Sequence, residues 1–309
     1  MSEKTVQTVT PRQIRKYFNR IGLTFLAVFV LSAGAFVGYR QLLPLLEPAY
    51  RSMDRAALET GAEIVLTLLI TLLPFSICAA VLKLKVGSFF GSCRGQWKRI
   101  GQTALVALAV NLLLTFITGI LAIVLSWLNI QFSGSLLSLD DSSMAAAGLN
   151  LVLFLVIYPL CEEFVFRGVC LRAFSRMGNL FAIFASSLLF ALMHGNTVSI
   201  FSSFFIGVLL AMVAMRYRSI VPTLVIHMLL NAQNLLLQAI PARYSWLIGL
   251  GCLVIYVLAI LAFFQLKQSR LIIRRETDTW VLVRQFFLSW AIVLTIGLYG
   301  VLNLLSIRF

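Results

Sequence analysis

The chain has 309 residues, of which 61% are hydrophobic and 12% charged, with a net charge of +14. Soluble domains run nearer half apolar and a quarter charged, so this balance points to lipid as the solvent. The basic residues flank long apolar stretches, a pattern of transmembrane flanks rather than of a nucleic-acid surface.

In chain order, a basic polar arm (residues 1–20) precedes nine stretches long enough to cross a bilayer core, which takes roughly 20 apolar residues each. They lie at about 21–41, 62–83, 102–128, 147–166, 179–196, 198–215, 220–240, 245–266 and 284–305. Distributing Lys and Arg between them puts 20 of the 25 basic residues on one side. Basic residues collect on the cytoplasmic side, so nine spans with a cytoplasmic N-terminus are expected. Ala33-Gly34-Ala35 resembles a signal-peptidase site, but the apolar run continues past it and an uncleaved anchor is expected. The predicted fold is an all-α, polytopic transmembrane bundle. It forms a single membrane domain over residues 21–309, since no linker or fixed-period repeat divides it. The five cysteines are odd in number, scattered and free of any C-x-x-C, so they read as small packing residues.

Of the eleven acidic residues, Glu162 and Glu163 are read as the exception that sits inside an apolar helix, the rest falling in loops or at helix ends. The only two histidines, His194 and His227, are also expected within apolar helices. Ionisable groups at membrane depth are costly and functional by default. Gly178-Asn179 is the best turn signal between the fourth and fifth stretches. Glu162 precedes that turn by as many residues as His194 follows it, so in a helical hairpin both rise about 24 Å and face each other. His227 and Asn231 are one turn apart on one face of the seventh stretch. All four side chains are therefore predicted to line one cavity.

Roles follow from helix geometry. Glu163 and Arg167 form a favourable i, i+4 ion pair that would hold the helix in place. Glu162 points about 100° away from that pair, without a local partner. Desolvation would raise the pKa of such a carboxylate and suit it to act as general base. His194 is expected to hold the same water or move its proton. His227 and Asn231 are expected to donate hydrogen bonds to a developing oxyanion. Base, water and oxyanion donors together are what amide hydrolysis requires.

Glu162-Glu163-x-x-x-Arg167, Phe190-x-x-x-His194 and His227-x-x-x-Asn231 resemble the three signatures of the CPBP family. That family groups CAAX prenyl proteases of the Ras-converting type with bacterial Abi-type, bacteriocin-processing membrane proteins. The resemblance covers about residues 150–235. It implies an intramembrane endopeptidase in which Glu162 and His194 activate water and His227 and Asn231 form the oxyanion site. The implied partner is a prenylated protein, a peptide or a membrane protein, with no nucleic acid, and the implied setting is a bacterial cell membrane.

No cofactor is expected. Zinc is the alternative, with Glu162, His194 and His227 as ligands. Two other functions stay open. A proton-coupled transporter would use the same ionisable groups, although no repeat between halves is visible. A non-catalytic scaffold or bacteriocin-immunity protein would keep the fold without turnover.

Overall fold

In the computed structural model, the described residues are 10–50, 54–128, 130–132, 143–194, 197–266, 278–305 and 307–308. The first helix, α1 (Pro11–Tyr50), starts within the expected arm. Thr10 and Gln13 cap it reciprocally: Gln13 Oε1 accepts from the Thr10 N–H at 2.9 Å and Thr10 Oγ1 accepts from the Gln13 N–H at 3.4 Å. Pro11 suits the first turn because its missing N–H costs nothing there. Ile14, Phe18, Ile21, Phe25 and Val28 then form one buried stripe at helical spacing. Arg12, Arg15 and Lys16 are exposed on the other side. Residues 11–20 are thus an amphipathic start to α1, and the rest of the arm lies outside the described residues apart from Thr10.

Next come α2 (Arg55–Val81), α3 (Trp97–Ser126) and α4 (Met144–Ser175). Asp54 caps α2 by accepting from the Ala57 N–H, which starts the helix earlier than its apolar run. Glu59 and Glu63 consequently lie within α2, so Glu162 and Glu163 are not the only carboxylates inside a membrane-length helix. Ser143 caps α4 and also donates to the Asp54 carboxylate, tying the two helix starts together.

After α4 follow α5 (Asn179–Leu192), α6 (Thr197–Tyr217), α7 (Val221–Ala239) and α8 (Ser245–Gln265). The last stretch is not one helix. It breaks at Leu288 and Ser289 into α9 (Thr279–Phe287) and α10 (Trp290–Leu304), bent by 68°. Two residues near the C-terminus, β2 (Ile307–Arg308), pair antiparallel with β1 (Gln131–Phe132).

Each of the nine expected stretches is helical over most of its described residues, and the described residues form an almost wholly helical bundle with six candidate spans, or seven if α9 and α10 are one span. The two remaining stretches are α5 and α7. α5 has 14 residues, about 21 Å at the helical rise and less than a bilayer core. α7 is diluted by His227, Asn231, Gln233, Asn234 and Gln238. Both carry residues that line one cavity, which they share with α3, α4 and α6.

Phe18, Phe174, Phe181 and Phe286 bring α1, α4, α5 and α9 together in mostly edge-to-face contacts. A second cluster joins α3, α6 and α7 through Leu114, Leu210, Ile226 and Leu230. Arg176 donates to the Leu82 and Lys83 carbonyls, and Arg172 to Ser88 and the Arg218 carbonyl. These arginines clamp the end of α4 to neighbouring connections instead of standing free in water.

Candidate active site

The site begins with an irregularity in α4. Leu153–Ile157 and Glu163–Cys170 are π-helical, with i→i+5 hydrogen bonds and a wider turn. Such segments are rare and concentrate at functional sites. Here the sequence gives a cause for the first. The Tyr158 N–H donates to the Leu153 carbonyl in the π pattern. The next donor in that pattern, for the Phe154 carbonyl, would be residue 159, which is proline and has no N–H. Asn231 of α7 takes its place, its Nδ2 donating to the Phe154 carbonyl at 3.0 Å. One bond thereby satisfies a freed carbonyl and fixes the Asn231 amide.

Glu163 is completely buried. One of its oxygens lies 3.4 Å from Arg167 Nε and the other accepts from His227 Nδ1 at 2.8 Å. The ion pair with Arg167 is the one expected from the i, i+4 spacing; the bond to His227 is not. Glu162 also has a partner, since its carboxylate is 3.5 Å from His227 Nε2. A single imidazole spans both carboxylates because its two nitrogens point in different directions. The reading of Glu162 as an unpaired carboxylate is therefore corrected: its partner comes from α7, 65 residues away in sequence, and not from α4. Glu162 remains accessible, with 33% of its side chain exposed, while Glu163 has none.

Phe190 organises the other side. Its ring lies 4.3 Å beneath the Arg167 guanidinium, which also donates to the Gly207 carbonyl at 3.4 Å. The aromatic face supplies negative potential to a cation with few other partners. The same ring meets His194 and His227 edge-on, with centroids 4.5 Å and 5.8 Å away. Close approach of α6 needs a glycine at 207, where a Cβ would stand 3.0 Å from Ser187 and 3.2 Å from the Phe190 ring.

His194 lies just beyond the last residue of α5, and not inside the helix as expected from the apolar run. Its side chain is exposed to the cavity. Its Nδ1 is 2.8 Å from the Phe190 carbonyl, which can only accept, so Nδ1 carries the proton. In the neutral ring Nε2 is then the free lone pair.

Glu162, His194, His227 and Asn231 all line one cavity of about 420 Å³. They come from α4, from the residue pair that follows α5, and from α7. Several lining residues escaped the sequence reading: Tyr158, Asn111, Asn234 and the serines 199, 202 and 203. Asn111 had a signal, being the one polar residue in the run Ala104–Leu114. Asn234 continues the His227 and Asn231 face by three residues. Nothing in sequence marked the serines. Asn111 donates to Gln233 and Asn234 at 2.7 and 2.9 Å, which locks α3 against α7.

Among the described residues no three His, Cys, Asp or Glu side chains are grouped to hold a metal ion. Glu162, His194 and His227 share the cavity without forming such a set.

Residues 145–233 match the model of Rce1-like type II CAAX prenyl endopeptidases. That segment is consistent with a CPBP-family protease. It runs from the start of α4 into α7 and holds all four cavity residues and the Glu163–Arg167 pair, in less than a third of the chain. No significant match was found among curated proteins or solved structures. The matched family is one of peptidases, and apolar helices long enough to cross a membrane surround the matched segment.

Proposed function

We propose that the protein is a CAAX-type intramembrane endopeptidase that hydrolyses a peptide bond with water activated by Glu162 and His194, without a metal ion. The observation that supports it most is the convergence of Glu162, His194, His227 and Asn231 on one cavity, with His227 held between two carboxylates.

Glu162 accepts a proton from water while His194 Nε2 accepts that water's other hydrogen, so the oxygen is aimed and made nucleophilic. The hydroxide adds to the carbonyl carbon, and the carbonyl oxygen gains the negative charge. Asn231 has a second Nδ2–H beyond the one given to Phe154, and His227, as the imidazolium held between two carboxylates, presents an Nε2–H besides its Nδ1–H; both are donors for that oxyanion. Glu162 then returns its proton to the leaving nitrogen, the C–N bond breaks, and a carboxylic acid and an amine result. Buried Glu163, kept anionic by Arg167, holds the His227 Nδ1–H and so leaves Nε2 to face the cavity. Bound substrate would lie among neutral amides and hydroxyls, which can satisfy the backbone of an extended peptide.

The test is direct. Purified protein in proteoliposomes is given a peptide ending in a farnesylated cysteine and three further residues, and products are read by mass spectrometry. Release of the tripeptide by the wild type and its loss in Glu162→Gln are expected. Equal release by both proteins would overturn Glu162 as the base, and no release by the wild type would overturn the CAAX reading.

A further inference from the structure

A second cavity, of about 450 Å³, lies between α1 and α2 and is lined by Phe36, Tyr39, Glu59, Glu63 and Thr67 among others. Tyr158 lines the site cavity and Glu63 lines the other, and the Tyr158 hydroxyl donates to Glu63 Oε1 at 2.6 Å. Tyr158 precedes Glu162 by one α-helical turn, so its ring stands beside the proposed base. Glu63 lies two turns into α2 and is exposed there, its carboxylate holding the Tyr158 hydroxyl.

We propose that Tyr158 is a specificity-determining wall of the site, limiting the size of the substrate side chain next to the cleaved bond, and that Glu63 is the positioning residue holding it. This rests on the endopeptidase reading. A phenol anchored at its hydroxyl cannot swing about its side-chain torsions, so the ring closes the site cavity on the α2 side. Removing the ring would join two spaces of similar size and admit a bulkier side chain. Freeing the hydroxyl would let the ring move and have part of the same effect.

Two farnesylated fluorogenic peptides, differing only in Ala or Trp beside the cleaved bond, test this through the ratio of their kcat/KM values. A loss of fold or of active fraction lowers both values and leaves the ratio unmoved. Wild type is expected to favour Ala. Tyr158→Ala should shift the ratio at least tenfold toward Trp. Glu63→Leu and Tyr158→Phe should each shift it severalfold, and Glu63→Gln, whose amide oxygen still accepts the phenol proton, should stay within twofold of wild type. Should Tyr158→Ala not fold, the contrast between Glu63→Leu and Glu63→Gln decides. A wild-type enzyme that cuts both peptides, with a ratio that none of these variants moves, would overturn this inference alone. A wild type that cuts neither would overturn the endopeptidase reading and this inference with it.

Discussion

His227 Nδ1 lies 2.8 Å from a Glu163 carboxylate that is wholly buried, so a residue of α7 is oriented by a residue of α4 that never meets solvent. Glu162, the next residue, meets the other nitrogen of the same ring from the cavity side. Adjacent glutamates therefore have different tasks, and their substitution should separate activity from stability.

Glu162→Gln keeps size and hydrogen-bonding capacity but removes the base. Turnover of the farnesylated peptide should fall at least ~100-fold, within the usual contribution of general-base catalysis. The detergent melt should be unchanged. Glu163→Gln strands the Arg167 cation in the interior, at a cost of about 3–5 kcal/mol for a broken buried pair. It should lower the melting temperature as well as the rate, and the opposite pattern would reverse the two roles.

His194 is held by the bond from its Nδ1 and by the edge-on Phe190 ring, and otherwise faces the cavity. His194→Ala should therefore melt close to wild type while losing about 100-fold or more in kcat. A marked drop in melting temperature with activity largely retained would show a packing role.

Pro159→Ala restores the N–H that the π-helical Phe154 carbonyl lacks. The backbone then competes with Asn231 for that carbonyl, and the Asn231 amide is no longer held. A severalfold fall in kcat is expected with little loss of stability, since a satisfied helix replaces a side-chain bond. Asn231→Ala leaves the carbonyl unpaired and should cost about 1–3 kcal/mol of stability in a urea or thermal titration.

Gly207→Leu would drive a side chain into Ser187 and Phe190. Overpacking of this kind costs about 1–3 kcal/mol. Because Phe190 supports Arg167, His194 and His227 together, activity should fall more than stability does. Comparison of the melt with kcat for Gly207→Leu and Gly207→Ala measures that difference.

The metal-free mechanism predicts that cleavage survives a strong chelator and that purified protein contains much less than one zinc per chain by elemental analysis. Activity abolished by the chelator and restored by zinc alone would instead make the cavity residues ligands.

Hydropathy and charge were enough for a helical membrane protein, because burying apolar runs in lipid depends on composition along the chain. The three motifs were legible because Glu162, Glu163, Arg167, His194, His227 and Asn231 are polar residues where polarity is expensive. The spacing about Gly178 pointed to one cavity for Glu162 and His194, since helical rise converts residue number into height, and both line it. What composition could not determine was rotation and partnership. That His227 bridges both glutamates, that Asn231 serves a carbonyl freed by Pro159, and that Glu63 reaches Tyr158 all depend on how α2 and α7 turn against α4. A hydropathy pattern carries no information on that rotation; packing around Arg167, Phe190 and Gly207 decides it.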